Sequence, residues 1–504
     1  MAPHALEPWT NGYGSTSHGR VDTVPDYPSE TKRYPESGVS VLIVGAGIGG
    51  LMSAMECWRK GHTVRIIERS DGPVFTGDTI NIQASAMSIF RHWPEFARDL
   101  EAAQYDCWMT YNKHTGEHIY GPNPPSFNDP ENMIGRVGPH VAFMQHRVKL
   151  HKLFLAQVEK LGLKVEWNKK VIEYFEDEDI EKGGIVVEGG QRYYADVVIA
   201  ADGIKTKSGI IVAGRHTPAF PSGMAIYRCA YPAKQALADP TVRERWERPE
   251  GSRPTWDFWL GSGVHSAVLM SKDLASWGLT HQDDGSAKES WDPHVTPDEV
   301  VKAMEKEAPG WHKAIPALIK TAPEGSIIHW KLMWRDLNPE WTSPGGRIAQ
   351  VGDSAHTFLP ASGNGATQAM EDAITLATCL QLAGKSNAAY ATKVFNRLRF
   401  ERVSCAQKMS FVNSQIKHKT DWDAIARDPK RIRTRFPRWI YQHNPEDYAY
   451  QKFGLAFNNV VSGAPFKNTN YPPGHKFKPW TIDEVKQDIK DGKNIEAFLD
   501  GDWS

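Results

Sequence analysis

Residues 39–44 (VSVLIV) form an unbroken apolar run that stops at a glycine-rich turn, the pattern of a short strand covered on both faces. Leu51, Ala54, Met55 and Trp58 then recur at helical spacing as far as Gly61, and a second apolar strand follows at 63–67. This opening segment therefore predicts a strand–helix–strand unit with parallel strands. The spacing predicts a helix over about 147–161, then strands at 164–167, 184–188 and 195–200. From about 216 to 335 the character changes to aromatic-rich strand patterns at 224–231, 255–260, 265–270 and 327–334. Within that region Thr296-Pro297-Asp298-Glu299 reads as a capping box with proline in the first turn. Helix-sized segments follow at 366–382 and about 390–412. The remainder is rich in proline, asparagine and aromatics, which predicts wrapping loops with one terminal helix opened by the Thr481 and Glu484 pair.

At about 100–200 residues per domain, 504 residues leave room for several domains. The 59 Lys and Arg against 60 Asp and Glu leave a net charge of −1, so no whole-molecule field gathers nucleic acid or an anionic membrane. One basic run, Arg427, Lys430, Arg431, Arg433, Arg435 and Arg438, is broken by Pro429 and Pro437 and followed by Trp439 and Tyr441, which favours a solvated surface with buried rings. The five cysteines are odd in number and far apart in sequence, against both a disulfide framework and a CxxC site. Residues 1–38 are polar and lack the apolar core of a secretory signal, and read as a disordered tail. No apolar run reaches the roughly 18–20 residues of a membrane span. A cytoplasmic protein acting on a small molecule is expected. Ser354 lacks the G-x-S-x-G frame of a serine hydrolase, and no H-E-x-x-H or other metal motif occurs.

Chemistry enters at Gly45-Ala46-Gly47-Ile48-Gly49-Gly50, a G-x-G-x-x-G that follows one strand and opens a helix. Gly45 makes the tight turn, Gly47 lets backbone approach a pyrophosphate, Gly50 permits close packing, and the helix start faces phosphate charge. Glu68, at the end of the second strand, stands where a carboxylate accepts from an adenosine ribose. NAD and FAD both use this fingerprint. A second loop decides between them: a short strand ends in Gly352-Asp353, Pro360 follows, and Gly363-Asn364-Gly365-Ala366 opens a helix. Asp353 can accept from the hydroxyls of a ribityl chain, and the N–H groups at Gly365 and Ala366 can face negative charge developing on a flavin ring.

Together these segments resemble the single-component, FAD-dependent aromatic hydroxylases, the flavoprotein monooxygenases typified by para-hydroxybenzoate and salicylate hydroxylases, here of a fungal tailoring type. The resemblance runs from about residue 39 to residue 409, with Ala201-Asp202-Gly203, His146-Arg147 with Leu150, and Glu371-Asp372 in the family's order. It implies an α/β fold: a Rossmann-like FAD-binding domain of the GR2 type over 39–215 and 336–400, an inserted mainly β substrate domain over 216–335, and a C-terminal helical and loop extension over 401–504. It further implies that Arg147 contacts FAD and that Asp202 serves both FAD and NAD(P)H. Asn364 and Gly209 depart from the residues common at those places, glutamine and arginine. His356 and, on one view, Asp202 have simpler readings as a structural histidine and a turn cap.

The implied reaction is monooxygenation with non-covalent FAD, NAD(P)H as transient reductant and O₂, through a C4a-hydroperoxyflavin that hydroxylates a phenolic compound. Epoxidation of an olefin and a non-catalytic FAD-binding role are the alternatives. Strand alternation puts Ile226 and Arg228 on one face of the 224–231 strand and Tyr227 and Cys229 on the other. Resemblance to fungal phenol hydroxylases assigns Arg228 as the catalytic residue, holding the substrate as a phenolate. A structural ion pair is the simpler reading of the same residue.

Overall fold

The computed structural model describes residues 30–74, 77–129, 132, 141–142, 144–288, 295–418, 420–494 and 498–503. At its centre lies a five-stranded, wholly parallel sheet in the order Ile348–Gln350, Val197–Ala200, Ser40–Val44, Thr63–Ile67, Val165–Glu166. Val41, Leu42, Ile43 and Val44 are all buried, as the unbroken apolar run requires of a strand covered on both faces. Helices Ile48–Arg59 and Gly365–Ala383 pack side by side on one face. A three-stranded antiparallel sheet, Val171–Asp177, Lys182–Val187 and Arg192–Ala195, covers the other, burying Tyr174 and Ile185 against Leu42, Val198 and Ile348. Strand order reverses at Ser40–Val44, and in such sheets the crevice beyond the carboxyl ends at the reversal is the binding place.

A second sheet has seven strands in the order Ile328–Trp334, Phe220–Pro232, Leu274–Gln282, His265–Met270, Thr255–Leu260, Trp108–Lys113, His118–Asn123. All its pairings are antiparallel except that of Thr255–Leu260 with Trp108–Lys113. Tyr227, Trp259 and Leu279 on its far face join a separate core with helices Pro240–Trp246, Pro297–Glu307 and Ala314–Lys320. The capping box at Thr296 forms as expected, and so does that at Thr481, which opens helix Ile482–Lys490.

Three features depart from the sequence expectation. The substrate sheet is not confined to 216–335, because Trp108–Lys113 and His118–Asn123 complete its edge. Those strands carry Thr, Asn, His and Pro and shift register twice, so no clean alternation marks them. The C-terminal region is more helical than loops and one helix. Helix Ala388–His418 runs 31 residues, and Pro445–Ser462, capped by the Asn444 side chain, packs on Gly365–Ala383. Finally, much of the expected disordered tail lies outside the described residues, but its end is docked: the Tyr34 N–H donates to the Arg59 carbonyl at 2.7 Å and the Ser37 N–H to that of Gly61 at 3.0 Å.

Candidate active site

A cavity of about 940 Å³ runs from the crevice of the parallel sheet to the near face of the seven-stranded sheet. Its first wall is the glycine loop. Gly45 has φ +108°, and a Cβ there would lie 2.4 Å from the Ala201 carbonyl oxygen. A Cβ on Gly50 would lie 1.9 Å from the Gly45 carbonyl oxygen, so the third glycine of the motif lets the helix start seat directly on the loop. At Gly47, which caps helix Ile48–Arg59, a Cβ would meet nothing within 4 Å and would project into open space. That bare backbone on a cavity, at a helix N-terminus, is the cradle a pyrophosphate needs. Glu68 also lines the cavity, but its carboxylate already has partners: it accepts from the Ala46 N–H at 2.8 Å and the Ser70 N–H at 3.0 Å. It fixes the loop and presents its remaining lone pairs at the cavity wall.

Asp353 stands in a one-turn 3₁₀ segment, Gly352–Ser354, between buried neighbours, and is itself exposed where it lines the cavity. Desolvation by the surrounding protein pushes its carboxyl up, while His356, Arg335 and Arg147 pull the other way. The segment is held from behind. Asp372 accepts from the Gly352 N–H at 2.9 Å, from His356 Nε2 at 2.6 Å and from Arg399 Nε at 2.8 Å. Arg399 and Arg402 both reach Glu371, and all four charged side chains are fully or almost fully buried. The adjacent arginines hold the Glu371 carboxyl far below the usual carboxylate range, against the opposing effect of burial. His356 thus has the structural role read from sequence, and Glu371 and Asp372 turn out to be the foundation of the loop.

Arg335 was not singled out in the sequence. It donates to the carbonyls of Asp353 at 3.1 Å and Ser354 at 2.9 Å and also reaches the Ile204 carbonyl, clamping the Asp353 loop to the loop that follows Val197–Ala200. Only its place at the end of a strand could have signalled it. Asp202 lines the cavity, with both carboxyl oxygens engaged: one accepts from the Tyr174 hydroxyl at 2.8 Å, the other from that of Ser354 at 3.1 Å. Gly365 and Ala366 open helix Gly365–Ala383 on the cavity wall, and the Asn364 side chain accepts from Gln83 Nε2 at 2.9 Å.

Where the two sheets meet, four charges converge. Arg147 begins helix Arg147–Lys160 and lines the cavity; burial and then the Arg228 charge push its guanidinium down, while Asp78 and Asp353 favour its charged form. Arg228 lines the same cavity with Met224 and Ile226, on the face that alternation assigned to it, and lies 3.4 Å from Asp78. Its guanidinium carbon lies 5.3 Å from the Trp330 ring centroid. Tyr227 faces away and stacks on His281 and His329. Trp256 and Phe258 of the neighbouring strand, Phe358 to Ala361 of the loop before helix Gly365–Ala383, and Ser414, Lys417, Thr434 and Phe436 of the C-terminal region close the chamber. This is an apolar chamber with a few convergent charges, within the size range of cofactor and ligand sites. Among the described residues no cluster suits a metal ion, and no helix is long and apolar enough to cross a membrane.

The FAD binding domain family matches residues 38–392. FAD-dependent monooxygenase dmxR9 of Cryptosporiopsis sp. is 56% identical over 494 residues, covering 97% of this chain and 94% of its own. FAD-dependent monooxygenase mdpD of Emericella nidulans is 56% identical over 500 residues, covering 97% and 95%. Among solved structures, CtdE in complex with FAD and a substrate superposes with a TM-score of 0.76 at 28% identity, over 84% of this chain and all of that one. The bare glycine cradle and the cavity-facing Asp353 fit FAD, and with these likenesses the chain belongs to the FAD-dependent monooxygenases of the fungal secondary-metabolism type.

Proposed function

We propose that this monooxygenase hydroxylates a phenolic or comparably electron-rich aromatic compound, with Arg228 holding the substrate oxygen as its anion. The observation that carries this is the place of Arg228: a cation in the apolar half of a chamber whose other half is the flavin crevice. It pairs with Asp78 at 3.4 Å where it lines the cavity, and a guanidinium fork carries more N–H donors than one carboxylate uses. A phenolate held there is a better carbon nucleophile than the phenol, so the arginine assists at the transition state as well as in binding.

In the same proposal Gly45, Gly47 and Gly50 seat the FAD pyrophosphate, Glu68 faces the adenosine ribose, and Asp353 accepts from the ribityl hydroxyls. Arg147 would contact the flavin where the two sheets meet, and the N–H groups of Gly365 and Ala366 would be available to its ring. Asp202 acts chiefly through Tyr174 and Ser354, by holding the loop beside the cofactor. When bound, FAD supplies electron transfer from NAD(P)H, the reductant typical of the family, and activation of O₂. The chain's own part is to place the ring carbon, hold its oxyanion and exclude water with Trp256, Phe258 and Phe436. We assign 39–107, 124–215 and 336–400 to the flavin domain, 216–335 with the 108–123 strands to the substrate domain, and 401–504 to the wrap. A cytoplasmic location accords with five buried, unbridged cysteines.

Anaerobic reduction of the bound flavin by NADPH, with and without a panel of phenols and olefins, tests the proposal. Acceleration by phenols supports it; acceleration confined to olefins would assign epoxidation instead.

A further inference from the structure

One titratable side chain in the chamber has no part in holding flavin or in the Arg228 proposal. Lys417 lies in the last turn of helix Ala388–His418, is 4% exposed, and lines the same cavity as Arg228. Its ammonium donates to the Ala361 carbonyl at 3.4 Å, on the loop that leads into the flavin helix, and lies 4.5 Å from the Phe258 ring centroid. The titratable groups that face it are His418 of its own helix and His265 of the substrate sheet, whose rings lie 4.8 Å apart. Burial holds both imidazoles below their ordinary range. Among the described residues no carboxylate pairs with Lys417, and burial alone sets its titration. An ammonium held in an apolar wall without a counter-ion is costly, and the carbonyl end of its helix relieves only part of that.

We propose that Lys417 forms an anion subsite of the substrate chamber, binding a second acidic oxygen of the aromatic substrate, a carboxylate or phenolate, at a position other than the one Arg228 holds. This rests on the chamber being the substrate site. It adds that the preferred substrates carry acidic oxygens at two separate positions, one for each cation. The two cations are not equivalent. A guanidinium only donates, so Arg228 can hold an anion but take no proton. Burial pushes the Lys417 amine down to about 7, so it can also accept a proton. A ligand entering as the neutral acid breaks its O–H bond and forms an N–H bond at Nζ. An ammonium and an oxyanion result, and no other reactant is needed. A ligand entering as the anion requires the ammonium form, and its affinity therefore falls as pH rises through that value.

The test uses the FAD-loaded enzyme and two probes followed by the change in flavin absorbance on binding. They are 6-hydroxy-2-naphthoate, which carries a phenol and a carboxylate at opposite ends, and 2-naphthol, which lacks the carboxylate. For the wild type the ratio of naphthoate to 2-naphthol affinity, in which the ionisation of the phenol common to both probes cancels, should fall about fivefold between pH 7 and pH 8. Lys417→Met should bind the naphthoate at least about tenfold more weakly, with no such step, and Lys417→Arg should restore tight binding, also without the step. Failure of the wild type to bind the naphthoate, equal affinity in Lys417→Met, or a pH step that survives in Lys417→Met would overturn the proposal. Binding of 2-naphthol reports on Arg228 separately. If Arg228→Ala leaves it unchanged, the Arg228 assignment fails while the Lys417 step stands.

Discussion

Replacing Asp372 with asparagine preserves its shape and removes its charge, at the point where the flavin loop rests on the buried arginines. One carboxylate oxygen accepts from the Gly352 N–H at 2.9 Å and His356 Nε2 at 2.6 Å, and the other from Arg399 Nε at 2.8 Å. An amide offers one oxygen and one NH₂. If the oxygen stays toward Gly352 and His356, the NH₂ meets Arg399 Nε–H, donor against donor. If the amide turns over, the NH₂ meets the Gly352 N–H. At least one charge-assisted bond is lost, about 1.5–3 kcal/mol, and Arg399 keeps only Glu371 as counter-charge. Breaking a fully buried pair in this way costs about 3–5 kcal/mol in total. Because Gly352 is covalently joined to Asp353, part of that loss should appear as weaker FAD binding. Thermal unfolding of apo and FAD-loaded protein, with fluorescence titration of FAD into the apoprotein, separates the two effects. A melting temperature within a degree or so of the parent together with unchanged FAD affinity would refute the claim that Asp372 supports the loop.

Gly50→Ala places a methyl 1.9 Å from the Gly45 carbonyl oxygen and should remove FAD and destabilise the fold by more than about 2 kcal/mol; a yellow, stable variant in absorbance and melting assays would contradict this. Glu446 accepts from Arg59, Lys60, Arg91 and His92, so Glu446→Gln leaves buried cations uncompensated; loss of about 3–5 kcal/mol in chemical denaturation is expected, and a neutral effect would show that the joint carries no load. Lys417 titrates lower in the folded protein than in the unfolded chain, which therefore binds more protons between about pH 7 and pH 10. Substrate-free wild type should accordingly gain stability relative to Lys417→Met as pH rises, by up to about 1.4 kcal/mol per unit; parallel denaturation curves at pH 7 and pH 9 would contradict it.

The glycine-loop walls of the cavity were legible because their residues are consecutive. Gly45 to Gly50 and Gly352 to Ala366 are loops whose glycines, strand ends and helix starts lie within a few residues of one another, so a linear pattern carries the geometry. The cavity-facing position of Arg228 was legible through strand alternation, since Ile226 and Arg228 do share that face. What escaped the sequence is assembled over long separations. Arg335 gains its role only when Ile204 and Ser354 come to it. Glu446 finds Arg59 and Arg91 across more than three hundred residues. Lys417 looks like an ordinary last-turn lysine until Phe258 and the Ala361 loop close over it. The strands at 108–123 were hidden for a related reason: they pair across the chain into the substrate sheet and carry register shifts that erase period-two alternation.

The central claim is that Arg228 holds a phenolate within reach of the flavin, and isotope transfer tests it most directly. The FAD-loaded enzyme, given NADPH, a phenol that accelerates flavin reduction, and oxygen-18 gas, should place one labelled atom on the aromatic ring of the product. Arg228→Ala, with unchanged FAD content, should consume NADPH while releasing labelled hydrogen peroxide and little product. Labelled product formed by Arg228→Ala at the parental ratio to NADPH consumed would contradict the account.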